Sequence, residues 1–231
     1  MKKIGIIAAM ALEIRIIKEH LVIAGTDNFA GFTFITGSLN GKMVVLTISG
    51  IGKVNAAICA QLMIDHYDVE CIINTGIANG IAPDLRTCDV VISEDVTYHD
   101  VRPEQMISCF PNKEVFTADQ KMIDYAIHAC DLTRTENWEY RVGRIVSGEQ
   151  FVSGVRKKKQ IIQQYKAQCV DMEGAAIGHV AHVNRVQFVI IRSISDSANR
   201  DASLDYQTFE KVSSNISSNI VIQMIHLMGE Y

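Results

Sequence analysis

Three carboxylates stand where predicted strands give way to helices or turns: Glu13, Glu173 and Asp196. Strand ends of an α/β sheet gather at one crevice, so residues distant in sequence can meet there. The same junctions carry Phe151, Met172, Arg192 and two glycine-bearing turns, at Gly50 and Gly76. Carboxyl groups with a planar aromatic and an arginine suit hydrolysis of a glycosidic bond, where an acid protonates the leaving group and a base prepares water. Each residue also has a purely structural role open to it. The acids of Val170-Asp171-Met172-Glu173-Gly174 would complement a helix N-terminus, worth up to about 1 kcal/mol. Phe151 would equally fill a core, Arg192 decorate a surface and Asp196 cap a helix.

Other chemistries fail on spacing. Ser49-Gly50-Ile51-Gly52-Lys53-Val54 invites a phosphate-loop reading, but Val54 stands where that motif needs Ser or Thr and the glycine spacing is wrong. There is no G-x-S-x-G elbow for a serine hydrolase. No His/Cys/Asp cluster has metal-ligand spacing, and His179 with His182 is too little to hold an ion, so no metal or cofactor is expected. The basic run Arg156-Lys157-Lys158-Lys159 reads as a solvated helix face. Acids and bases are interspersed at a net charge of −4, which marks no face for nucleic acid or anionic lipid.

The elements that must position these residues alternate between strand and helix. Ile4 to Ala9 is a buried strand, followed by a helix with Leu12, Ile16, Ile17 and Leu21 on one side, which puts Glu13 in its first turn. Phe32–Gly37 and Met43–Ile48 form a hairpin across Asn40-Gly41. An Ala-rich helix leads from Gly52 to about Asp65, and strand Cys71–Thr75 ends in a turn, Gly76 to Gly80. Asp89–Ser93 continues the sheet; residues 101–116 read as a long loop of the kind that lids a site. Thr117-Ala118-Asp119-Gln120 is a capping-box pattern for a helix to about Cys130. Strand Tyr140–Val146, the basic helix, a helix from Gly174 to about Val183, strand Gln187–Arg192 and a last helix capped by Ser203 complete the chain. This pattern predicts one α/β domain over residues 1–231, a three-layer αβα sandwich around a twisted mixed sheet.

Composition agrees. The 231 residues hold three prolines and no low-complexity spacer, and 48% of them are hydrophobic, enough for a core on both faces of a sheet. Six cysteines lack paired short spacing and sit in apolar contexts, as free thiols do in a reducing cytoplasm. Lys2-Lys3 before Ile4 to Ala11 loosely imitates a signal peptide, but the run is short and meets Glu13 and Arg15 at once. No stretch of about 18 apolar residues exists, so no membrane span is expected.

Taken together, Ile4 to Met10 with Glu13, Ser49 to Val54, Asn74-Thr75-Gly76, Tyr98-His99-Asp100, Ser147 to Phe151, Val170 to Glu173 and Arg192 to Asp196 resemble the bacterial 5′-methylthioadenosine/S-adenosylhomocysteine nucleosidases. The motifs keep the family's order over nearly the whole chain. The resemblance implies a fold of the nucleoside phosphorylase type, a homodimer, and adenine release from methylthioadenosine and S-adenosylhomocysteine, with 5′-deoxyadenosine as a further substrate. It implies Asp196 as the acid at adenine N7, Glu13 as the base for water and Arg192 as support for the water site. Glu173 would bind the ribose hydroxyls with Met172 against the sugar. Phe151, Val152, Ser195 and Ala198 would surround adenine, with Phe151 stacking and Val152 offering its backbone. Met10, Ile51 and Tyr206 would line the pocket for the 5′ substituent, and Ile77 and Ala78 the turn beside the water. Pro103 and Met106 would be lent to the partner subunit's 5′ pocket.

The chain departs from the family at three places. Ile77-Ala78-Asn79-Gly80 replaces a Ser-Ala-Gly-Gly segment and loses a hydroxyl, Asp171 stands where Glu is frequent, and the 101–106 segment is altered, which leaves the preferred 5′ group open. Asp171 is expected to support its neighbours with its side chain turned away. Rivals are a purine nucleoside phosphorylase, which needs cations around its phosphate, an aminofutalosine hydrolase, and a catalytically dead nucleoside-binding protein.

Overall fold

The computed structural model describes residues 3–196 and 206–228, with the side chains of 196 and 206–208 outside that description. Ser203 and Ala198 therefore lie outside the described residues. β1 (Lys3–Ala8) is the N-terminal apolar run, and Ile6 and Ile7 are fully buried. A strand apolar on both faces needs helices above and below it. α1 (Ala11–His20) follows, burying Glu13, Ile14 and Ile17; Leu12 and Ile16, expected inside, are half-buried because the packed face is rotated toward Glu13.

β2 (Val22–Phe29), β3 (Phe32–Leu39) and β4 (Lys42–Ile48) form an antiparallel meander. Asn40 and Gly41 turn the β3–β4 hairpin at φ of 49° and 76°, the left-handed region these residues tolerate. β2 is absent from the sequence reading: it is the exposed edge of the sheet, so no buried alternation marks it.

α2 (Lys53–Tyr67) leads to β5 (Cys71–Gly80), then β6 (Val90–Tyr98), α3 (Pro103–Ser108), β7 (Phe116–Thr117) and α4 (Gln120–Thr133). β8 (Tyr140–Ser147), α5 (Val155–Tyr165), β9 (Cys169–Asp171), α6 (Gly174–Asn184), β10 (Gln187–Asp196) and α7 (Tyr206–Leu227) follow. β5 is the hinge of the sheet. β1 runs parallel along the first half of one edge, β9 meets the end of that edge, and β10 runs parallel along the other. β10 pairs with β6, β6 with β8 and β8 with β9, so five strands close into a ring ending on β5. α1, α4 and α7 pack together on one side, and α2 packs on α6 on the other. The result is the expected three-layer mixed sheet.

Four local expectations change. Residues 76–80 are strand, because β10 extends as far as Asp196 and pairs Gly76 with Arg192 and Ala78 with Ile194. The 101–116 segment is not a plain loop: Pro103 starts α3 at a position where a proline has no hydrogen bond to lose. Asp119, not Thr117, caps α4, accepting from Met122 N–H at 3.2 Å, since Thr117 is already paired in β7. Lys158 of the basic run is buried while Arg156 and Lys159 are exposed, so that run is not wholly a solvated face.

Candidate active site

The C-terminal ends of β1, β5, β9 and β10 meet at a cleft, the place where an open α/β sheet binds ligands. Its floor is built from buried charge. Glu13 is 3% exposed, and its carboxylate accepts from three backbone N–H groups: Ala9 at 2.9 Å, Met10 at 2.8 Å and Ile77 at 2.9 Å. Met10 is the N-cap of α1 and has no side-chain oxygen to cap it, so Glu13 in the first turn reaches back to satisfy those donors. A carboxylate has about four acceptor positions, and three are filled, leaving one for a ligand or water. Burial pushes the Glu13 carboxyl above its ordinary range, against the pull of Arg192 and the three N–H groups. It is thus a stronger base than a solvated glutamate.

Glu173, the N-cap residue of α6, accepts from Gly52 N–H at 2.8 Å. That contact needs Gly52 at φ 104°, a conformation other residues rarely adopt, and a Cβ there would lie 2.8 Å from Glu149 Oε1. Burial first, then neighbouring Asp171, raises the Glu173 carboxyl to about 7, with Arg192 and Gly52 opposing.

Arg192 is 2% exposed and does not reach the cleft lining. It lies behind the carboxylates, with Nε to Asp171 Oδ2 at 2.9 Å, Nη2 bonded to Asn74 Oδ1, and Nη2 3.8 Å from Glu173 Oε2. Burial pulls the guanidinium's pKa down, but Asp171, Glu173 and Glu13 together outweigh it and hold it above its ordinary value. Asp171 does not turn away: it accepts from Arg192, from Gly174 N–H at 3.1 Å and from the Ser147 hydroxyl, and it fixes the cation on which the other two acids depend.

Gly76 is required by this cluster rather than by a turn. A Cβ at Gly76 would stand 2.4 Å from Glu13 Oε1 and 3.1 Å from Arg192 Nη1. Gly76→Ala is expected to destabilise the fold by about 1–3 kcal/mol and to displace the Glu13 carboxylate; thermal melting together with turnover checks both.

Glu173 carries a second expected result. Its folded pKa is raised, so its stability contribution is complete below pH 4.5 and is lost as pH rises through about 7. Glu173→Gln removes the buried charge and should raise the folding stability at pH 8 by on the order of 2 kcal/mol, seen as a higher Tm, with the gain vanishing near pH 4.5. A pH series of melting curves decides it.

The cleft brings together ten of the residues singled out in the sequence. Glu13, Met172 and Glu173 lie on the charged side with Met10 and Ile51; Phe151, Val152, Ile77, Ala78 and Ser195 complete the lining. Phe151 is 60% exposed at the rim and Val152 is buried behind it. Pro103 and Met106 lie on α3, away from this chain's cleft, and Met106 packs against the core. Asp196 is placed by its backbone at the end of β10, opposite Asn79 on β5; its side chain and that of Tyr206 lie outside the description. Asn79 also lines the cleft, although in the sequence it reads only as part of a turn. The signal that could have found it is a polar residue continuing an apolar strand.

No Lys, Arg or His lines the cleft among the described residues, while Glu13, Asp171 and Glu173 all do. No group of three His, Cys, Asp or Glu among the described residues is arranged to hold a metal ion.

Such a fold and cleft match a known class. The family model of the phosphorylase superfamily matches residues 3–226. A 5′-methylthioadenosine/S-adenosylhomocysteine nucleosidase of Tolumonas auensis is 37% identical over 96% of this chain and 98% of its own length. The crystal structure of such a nucleosidase from Neisseria meningitidis, in complex with methylthio-immucillin-A, superposes with a TM-score of 0.90 at 32% identity, covering 98% of this chain and 99% of that one. A futalosine hydrolase structure from Helicobacter pylori has a TM-score of 0.87 at 26% identity, covering 97% of each chain. The chain therefore belongs to the 5′-methylthioadenosine/S-adenosylhomocysteine nucleosidase family of the phosphorylase superfamily.

Proposed function

We propose that this enzyme hydrolyses the N-glycosidic bond of 5′-methylthioadenosine and S-adenosylhomocysteine, releasing adenine and the 5′-thio-substituted ribose. The observation that carries the reading is a cleft floored by buried carboxylates with no cation on its lining among the described residues. Loss of the base leaves positive charge on the ribose, which such a floor stabilises more as the charge develops. An anionic nucleophile such as phosphate would be repelled by it.

In this reading Glu13 accepts a proton from water at its one free acceptor position, and its raised pKa makes it the better base. Glu173 holds the ribose hydroxyls, oriented by Gly52 N–H and by Arg192 behind it. Met172 lies under the sugar, Phe151 stacks on adenine and Val152 offers its main chain. Asp196 gives a proton to adenine N7, turning the base into a neutral leaving group. Asp171 and Arg192 act through the other carboxylates by fixing the charge balance between them. Met10, Ile51 and Tyr206 bound the 5′ group.

We read the active form as a cytoplasmic homodimer. Apolar side chains stand exposed at Ile51 on the cleft lining and at Val54 and Ile58 on α2, and the six cysteines are free thiols. No helix among the described residues is long and apolar enough to cross a membrane.

The test is release of free base from methylthioadenosine, S-adenosylhomocysteine, 5′-deoxyadenosine, aminofutalosine and inosine. Adenine from the first two and no hypoxanthine from inosine is expected. Base release from aminofutalosine alone would reassign the substrate, and release from none would leave a binding protein.

A further inference from the structure

We infer that Asn79 is a positioning residue for purine recognition, which through the Val152 carbonyl makes the cleft select 6-amino over 6-oxo purines. The inference rests on the nucleosidase reading above for the place of the base. Asn79 is 5% exposed, lines the cleft near the end of β5, and is held between Val170 of β9 and Asp196 of β10. Its Nδ2 donates to the carbonyl of Val152 at 2.7 Å. A carbonyl only accepts, so the amide has one possible orientation. Its Oδ1 is then left in the interior with no hydrogen-bond partner among the described residues. A buried acceptor left unpaired is destabilising, and a smaller residue would avoid it. The amide is explained by what its donor does.

That donor acts on residues 148–154, which join β8 to α5 without regular structure. The upstream end is tied down three times: Gly148 N–H donates to the Asp171 carbonyl at 3.2 Å, Glu149 N–H donates to Asp100 at 2.9 Å, and the Glu149 carboxylate accepts from Lys53 N–H at 3.1 Å. Asn79 supplies the downstream tie, and Phe151 stands between them. A main-chain edge offers one donor and one acceptor. Adenine presents an amino donor at position 6 and an acceptor at N1, whereas a 6-oxo purine presents the reverse. A carbonyl locked in one direction accepts the amino group and opposes the oxo oxygen, so discrimination follows from fixing the carbonyl.

The experiment titrates adenine and hypoxanthine into the wild-type protein and into Asn79→Ala and Asn79→Asp, with thermal melting to confirm folding. Asn79→Asp keeps the shape and replaces the donor by an acceptor. Both variants are expected to lose about tenfold in adenine affinity with little change for hypoxanthine. Asn79→Asp alone should regain adenine affinity as pH is lowered, because its protonated carboxyl can again donate. In turnover of methylthioadenosine the variants should raise KM more than they lower kcat. Unchanged adenine affinity, an equal loss for both bases, or an aspartate variant that does not recover at low pH would each overturn the inference. A wild-type protein that binds adenine but releases none from methylthioadenosine would sink the nucleosidase reading, leaving Asn79 to be judged by the titrations. One that binds neither base would sink both.

Discussion

Glu13→Gln is expected to slow adenine release by about 10²–10⁴-fold while adenine still binds. The glutamine oxygen can keep the Ala9 and Met10 N–H groups, which preserves the cap of α1. Its amide nitrogen then faces Ile77 N–H and the cleft, so the acceptor for water is replaced by a donor. Stability should change little, because the lost Ile77 bond is offset by removal of a buried charge whose pKa burial had raised. In the wild type, kcat/KM should fall as pH drops through that raised value, and the variant should lose this acid limb. A variant within threefold of wild type would remove Glu13 from the chemistry.

Arg192→Met is expected to give the largest loss of stability, about 3–5 kcal/mol at pH 8. Three carboxylates, from Glu13, Asp171 and Glu173, surround this one buried guanidinium. Without it they face one another and the unfolded state alone lets them ionise freely. The raised folded pKa values of Glu13 and Glu173 rise further, so the deficit against wild type is smallest below the unfolded carboxylate range and grows as pH increases. Denaturant melts at pH 5 and pH 8 measure it. A deficit independent of pH would show that Arg192 contributes packing and not charge balance.

These two results separate what the sequence exposes from what only the fold supplies. Glu13 and Glu173 are legible because each sits at a strand-to-helix junction, where an acid has access to a crevice. Phe151 is legible for the same reason. Arg192 looks equally placed in the sequence, yet lies behind the carboxylates, because β10 continues to Asp196 and carries residue 192 into the sheet interior. Asp171 looks dispensable beside Glu173, yet it is buried against Arg192, Ser147 and Gly174. Alternation along a three-residue strand is too short a signal to show which acid points where. Gly76 reads as a turn, while its reason is the space that Glu13 and Arg192 occupy, and long-range crowding leaves no local trace. The same holds for β2, whose exposed residues carry no buried period, and for Asn79, whose partner is 73 residues away. The alternation of buried strands with amphipathic helices was enough for the layered fold itself, since apolar runs such as Ile4 to Ala8 have few other places to go.

The central claim is that water, admitted over a floor of carboxylates, is the nucleophile. The direct measurement is the product of methylthioadenosine cleavage with and without inorganic phosphate. Free 5-methylthioribose at a rate indifferent to phosphate is the predicted result. A sugar 1-phosphate, or a rate that requires phosphate, would contradict it.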